Sequence, residues 1–224
     1  MTTPPLLSDE ELERSAVVAN NTMNRERGLT GVNSYARELG FDPVTHLSAQ
    51  SASPSWLDLC SGEGRALREA ATRLPASAVL TGIDLVGPPS PPPAMPGVDL
   101  ITTSVGDWAA PRAYDLITCV HGLHYVGDRL GLLTRAASWL TPEGLLFAHL
   151  DPVSIRWPDG TSAGRTVLAA LRAAGFTYSS RQHLLTLRGP RSVHLPFRYL
   201  GADPDAGPNY TGQPAIASFY QRLL

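Results

Sequence analysis

Apolar residues in this chain fall into short, nearly unbroken runs: Trp56-Leu57-Asp58-Leu59, Val79–Leu85, Val98–Ser104, Tyr114–Val120 and Leu145–Leu150. Runs of this length bounded by small or polar residues read as strands buried on both faces. Between them the spacing changes to that of a helix. From Arg65 onward, Ala66, Leu67, Ala70, Ala71 and Leu74 share one face; from Arg129 to Leu140, so do Leu130, Leu133, Ala136, Ala137 and Leu140. Residues 162–174 form an Ala/Leu-rich helix that Gly175 ends, and strands follow near 176–188 and 191–200. Strands alternating with helices predict an α/β fold around a largely parallel sheet.

The flanks read differently. Residues 1–7 form a tail, Ser8 caps a helix that runs to about Asn20, and Asp9, Glu10 and Glu11 favour its first turn. The next stretch is rich in Asn and Arg and is broken by Gly28 and Gly31; a short helix covers Phe41–Leu47, and residues 48–54 form a loop. At the other end, a loop leads to a short helix from about Pro214. The resulting division is 1–54 as a helical arm, 55–203 as the main domain and 204–224 as a tail. One interior segment, VGPPSPPPAMPG, cannot be helical, because six prolines lack N–H groups and clash with a preceding turn. It predicts an extended, polyproline-like loop.

Composition narrows the chemistry. The 224 residues suit one large α/β domain, and 43% hydrophobic with 17% charged residues marks a globular chain. A net charge of −2 without a dense basic patch disfavours nucleic acid as a partner. All 18 basic residues are Arg, which excludes a lysine Schiff base. Two cysteines, Cys60 and Cys119, exclude a disulfide framework and a Cys-rich zinc site. The start of the chain lacks a secretory leader pattern and no apolar run approaches about 18 residues, so a cytoplasmic protein with no membrane partner is expected.

The segment Ser55–Leu67, SWLDLCSGEGRAL, joins a strand, a small-residue turn and a helix. Its glycines allow close approach of a ligand to the backbone, and the helix start presents free N–H groups. The spacing D-x-C-x-G-x-G is not the dinucleotide fingerprint. It resembles motif I of the class I S-adenosylmethionine (SAM)-dependent methyltransferases, E/D-x-G-x-G-x-G, with Cys60 in place of the first glycine. The order of later features is similar to that family too: Asp84 ending the second strand, Asp107 beyond the third, YDLI opening the fourth, and LTPEG before the fifth. The resemblance covers roughly residues 55–151.

That resemblance implies a three-layer Rossmann-like methyltransferase fold, with a mostly parallel seven-stranded sheet, an antiparallel C-terminal strand and an N-terminal helical lid. The strands near 176–188 and 191–200 would be the closing antiparallel pair. The cofactor is SAM, leaving S-adenosylhomocysteine (SAH), and its implied contacts are Tyr35, Asp58, Cys60, Ser61, Gly62, Gly64, Asp84, Leu85, Asp107, Trp108 and His121. Asp84 receives the ribose hydroxyls, since a carboxylate accepts from both at once. Asp107 receives the adenine amino group, with Trp108 against the ring. Arg27, Asn33 or Tyr35 holds the methionine carboxylate or the substrate. The proline segment departs from the family, which has a helix there.

Methyl transfer is an in-line displacement from an activated sulfonium, so the protein aligns the nucleophile and removes its proton. The candidates at the exit of the fourth strand are His121, His124 and Tyr125; a histidine there has a suitable pKa for a base. His149 and Asp151 end the fifth strand, but one His and one Asp do not make a metal site, and no metal is expected. The expected activity is methylation of an O or N of a small molecule, a metabolite or natural-product intermediate, by a monomer or homodimer. The alternatives are a SAM-fold enzyme with a non-methylating reaction and a methyltransferase for peptides.

Overall fold

Residues whose side chains alternate between two apolar layers form the central sheet. The computed structural model describes residues 5–19, 25–88 and 92–223. Helix α1 (Asp9–Glu13) begins at Ser8, whose hydroxyl and Glu11 make a reciprocal capping box. The single helix expected up to about Asn20 is instead two pieces, because α1 stops at Arg14 and α2 (Ala16–Ala19) starts afresh. Helices α3 (Tyr35–Leu39) and α4 (Pro43–Gln50) follow, each N-capped by a side chain, Ser34 and Asp42. Helix α4 therefore takes in the start of the segment expected as a loop. Asn20, Asn21 and Asn24 lie outside the described residues, as do Pro89 and Pro91.

The main unit runs β1 (Ser55–Leu59), α5 (Arg65–Ala71), β2 (Val79–Asp84), β3 (Val98–Thr102), β4 (Tyr114–Cys119), α6 (Arg129–Ser138) and β5 (Leu140–His149). After β6 (Ile155–Arg156) come α7 (Gly164–Ala173), β7 (Thr177–Ser179), β8 (Leu184–Arg188), β9 (Phe197–Asp203) and β10 (Ala217–Arg222). Seven strands form one sheet in the order β3-β2-β1-β4-β5-β8-β7. All are parallel except β8, which runs antiparallel to both β5 and β7. This is the class I methyltransferase topology expected from the sequence. The strand order reverses between β1 and β4, and the crevice for a ligand lies at the carboxyl ends there.

Burial explains the apolar runs. Leu57, Leu59, Ile83 and Ile117 pack into one layer with α6 and α7. Trp56, Leu80 and Leu116 face the other layer with α3, α4 and α5. The helical faces expected on α5 and α6 are largely the buried ones, except that Ala71 is only partly buried, Leu74 lies beyond α5 and Leu140 already belongs to β5. No described helix is long and apolar enough to cross a membrane. Between Asp84 and Val98 no helix forms among the described residues, as six prolines require.

Three expectations are corrected at the ends. The closing antiparallel pair comes entirely from residues 177–188, folded as β7 and β8. Residues 197–203 instead join a second, three-stranded sheet, β6-β10-β9. The helix expected from Pro214 is strand β10: its residues 217–220 are buried, and its backbone bonds are taken by β9 and β6. The tail at 1–7 is tied down at Leu7, which exchanges two backbone hydrogen bonds with Ala202 at 2.9 and 3.0 Å.

Candidate active site

The corner after β1 is built from three left-handed residues: Cys60 (φ 59°), Gly62 (φ 61°) and Gly64 (φ 67°). At Gly62 an added Cβ would lie 2.4 Å from the Arg25 carbonyl oxygen, and at Gly64 it would lie 2.4 Å from Leu100 Cδ2. Both positions therefore require glycine, whereas Cys60 carries a side chain at a cost in backbone strain. The corner is pinned to β2. Ser61 N–H donates to the Ile83 carbonyl at 3.0 Å, and Gly62 N–H donates to Asp84 Oδ2 at 2.8 Å. Asp84 Oδ1 accepts from Val86 N–H at 3.1 Å and lies 3.5 Å from the Arg25 guanidinium, which also donates to the Val86 carbonyl. Burial raises the Asp84 carboxyl pKa, and the two N–H donors pull it back.

This corner opens into a cavity of about 450 Å³, a size typical of cofactor sites. Cys60, Gly62, Asp84, Leu85, Asp107, His121 and Tyr125 line it, so seven of the sequence-predicted residues meet in one space. Its roof is the N-terminal arm, through Leu12, Glu13, Val18 and Arg25, and Gln213 closes one side. Glu13 accepts a hydrogen bond from the Ser104 hydroxyl, tying the arm to the end of β3.

The other predicted residues sit elsewhere. Asp58 is 1% exposed and accepts from Tyr35 Oη and from Thr118 Oγ1. Burial pushes its pKa up to about 7. Tyr35 is thus committed to Asp58 and stands edge-on to Trp56, away from the cavity lining. Arg27 is engaged with Glu38 at 2.8 Å. Ser61 and Gly64 do not line the cavity; Gly64 N–H donates to the Ser61 carbonyl at 3.1 Å within the turn. Trp108 packs edge-on against Trp139 at 5.6 Å rather than lining the cavity.

At the exits of β4 and β5 the histidines gather. His121, itself left-handed at φ 59°, stacks on His149 with centroids 4.1 Å apart and planes 13° apart. Glu38 Oε2 lies 3.1 Å from His121 Nε2 and 3.4 Å from His149 Nε2. The hydrogen bond from His121 is the largest influence holding the Glu38 pKa at about 2. Tyr210 Oη lies 3.3 Å from His121 Nδ1, and its ring stacks on His183 at 3.8 Å. His124 is 1% exposed, and neither ring nitrogen has a hydrogen-bond partner among the described residues. Burial drops its pKa to about 2 and that of His149 to about 3, so both rings are neutral at physiological pH. Asp151 is used up capping the turn after β5, accepting from Val153 N–H at 3.0 Å. The spacing along the sequence offers no metal-ligand set, yet folding assembles one: Glu38, His121 and His149 present donor atoms all within 4.8 Å of one another.

A family model described as "Methyltransferase domain" matches residues 32–187, which takes in nearly the whole seven-stranded sheet. The chain belongs to this methyltransferase family. The sequence resemblance to the class I SAM-dependent methyltransferases therefore holds for both fold and family. Among solved structures, the chain is similar to the plantazolicin methyltransferase BpumL in complex with a monoazolic desmethylPZN analog and SAH. The two are 22% identical over 47% of this chain and 44% of that one, with a TM-score of 0.40. It is similar also to the N-methyltransferase NodS from Bradyrhizobium japonicum WM9 in complex with SAH: 17% identity, 82% and 98% coverage, TM-score 0.47. A third is CalS10, an amino pentose methyltransferase from Micromonospora echinaspora: 22% identity, 52% and 50% coverage, TM-score 0.39. The chain spans half or less of the first structures it matches. No curated protein matches it.

Glu38 and Gln213 have no sequence signal as site residues. Glu38 lies in YARELG, which reads as a helix with a solvated charge, and Gln213 belongs to a loop whose path depends on β9 and β10.

Proposed function

We propose that this methyltransferase binds SAM in the cavity beneath its N-terminal arm and transfers the methyl group to an oxygen or nitrogen of a small metabolite or natural-product intermediate. The carrying observation is the continuity of one cavity from Asp84 and Asp107 to His121. Asp84 spends one backbone N–H bond on each oxygen and keeps lone pairs for a pair of ribose hydroxyls. Asp107 is exposed at the β3 end, where it accepts from an exocyclic amine. Gly62 lets the backbone come close to the ligand. SAM supplies an activated methyl group, so the protein's task is alignment and proton removal.

The acceptor enters at the His121 end. There Glu38 fixes the His121 ring, Tyr210 faces its other nitrogen, and Tyr125 borders the space. His124 stands beside His121, with ring centroids 5.9 Å apart. Incubation with SAM and a panel of phenolic, carboxylic and amine metabolites, read by mass spectrometry, tests the reading. A product heavier by one methylene supports transfer. A rearranged product of unchanged mass would instead establish a non-methylating reaction.

A further inference from the structure

The acceptor end holds a set of donors that proton removal by one histidine does not account for. We propose that Glu38, His121 and His149 form a divalent-cation site whose next ligand is the hydroxyl of the acceptor. The inference rests on the methyl-transfer reading and narrows its acceptor to oxygen.

Two imidazoles and one carboxylate are the donor set of many catalytic zinc and non-haem iron sites. The two Glu38 separations agree. Metal–ligand distances of about 2.1 Å in a tetrahedral site place neighbouring donors roughly 3.4 Å apart. Glu38 Oε2 is 3.1 Å from His121 Nε2 and 3.4 Å from His149 Nε2, and the three donors lie within 4.8 Å of one another. The imidazoles are stacked, with both Nε2 atoms within 3.4 Å of the same carboxylate oxygen. Three separate segments hold the ligands: α3, the turn after β4 and the end of β5.

The surroundings supply orientation and direction. Arg27 Nη1 donates to Glu38 Oε1 at 2.8 Å, which fixes the carboxylate and leaves Oε2 for the ion. His149 is 2% exposed, while His121 lines the cavity, so the open coordination position faces the acceptor space. Arg27 already balances the charge of Glu38. A divalent ion here keeps most of its charge, and that charge favours an acceptor able to become an anion: a phenol, an enol or a carboxylic acid. On the ion, such a hydroxyl loses its proton to solvent. The oxyanion's electron pair then forms the O–C bond as the C–S bond breaks, its electrons remaining on sulfur.

The test uses tag-free, chelator-treated full-length protein titrated with cobalt(II), read by visible absorption and calorimetry, with SAM binding measured on the same samples. The variants are Glu38→Gln and His149→Gln; Glu38→Gln, at a half-exposed helix position, carries the test alone if the buried replacement does not fold. The expected result is one equivalent of cobalt per chain, weakened at least roughly tenfold in the variants, with SAM affinity within about threefold of wild type. Failure of SAM-binding protein to take up stoichiometric cobalt overturns the site, as does uptake that neither variant weakens. Cobalt uptake without SAM binding would support the site and sink the methyl-transfer reading instead.

Discussion

At the ends of the parallel strands, single side chains set what the cavity presents to a ligand. Asp84, Asp107 and Gly62 are informative because a parallel strand fixes where its last residue points, and the cavity lies there. Tyr35 and Asp58 show the opposite case. Their residue types suit ligand binding, but they meet each other in the core. Glu38 was invisible, since its partners lie far along the chain. Asp58 gives a prediction at this scale. Its folded pKa of about 7 stands well above the ordinary aspartate value of 3.8. The folded chain therefore holds a proton that the unfolded chain releases. The resulting stability is full below the unfolded value and is lost as pH rises through about 7. Asp58→Asn removes this dependence. Urea unfolding at pH 5 and pH 8 is expected to move in favour of the variant by roughly 2–3 kcal/mol at the higher pH. An equal difference at both pH values would contradict the buried, protonated Asp58.

Among elements, the long periodic ones were readable and the short terminal ones were not. Helices α5 and α6 bury the faces their spacing marks. Strand β10 reads as a helix in the sequence because a short segment after proline resembles a helix start. What decides its state is tertiary: β9 and β6 take its backbone bonds, and its side chains are buried on both faces. Strand β9 was likewise assigned to the wrong sheet, since pairing partners are not encoded in local pattern. Tyr220 joins β10 to the domain. It is 1% exposed; its hydroxyl accepts from Leu130 N–H and donates to Asp128 Oδ1, both at 3.1 Å. Tyr220→Phe leaves that N–H buried and unpaired, and should cost about 1–3 kcal/mol in chemical unfolding. A loss below about 0.5 kcal/mol would mean the bond does not anchor the second sheet.

For the whole molecule, the two chain ends complete a site whose floor is the sheet. The family match stops short of α1, β9 and β10, yet α1 roofs the cavity and the loop before β10 supplies Gln213. Leu7 pairs with Ala202, so both ends are fastened to each other. The arm's polar composition signalled a cover; its path across the cavity depended on contacts that no local pattern states. The central claim is that this enclosed space is a SAM site. Isothermal titration of the full chain with SAM and SAH tests it most directly. One site per chain is expected, with Asp84→Ala weakening affinity roughly 10–100-fold through the lost hydroxyl bonds. Absence of binding by folded wild-type protein, or binding indifferent to Asp84→Ala, would contradict the account.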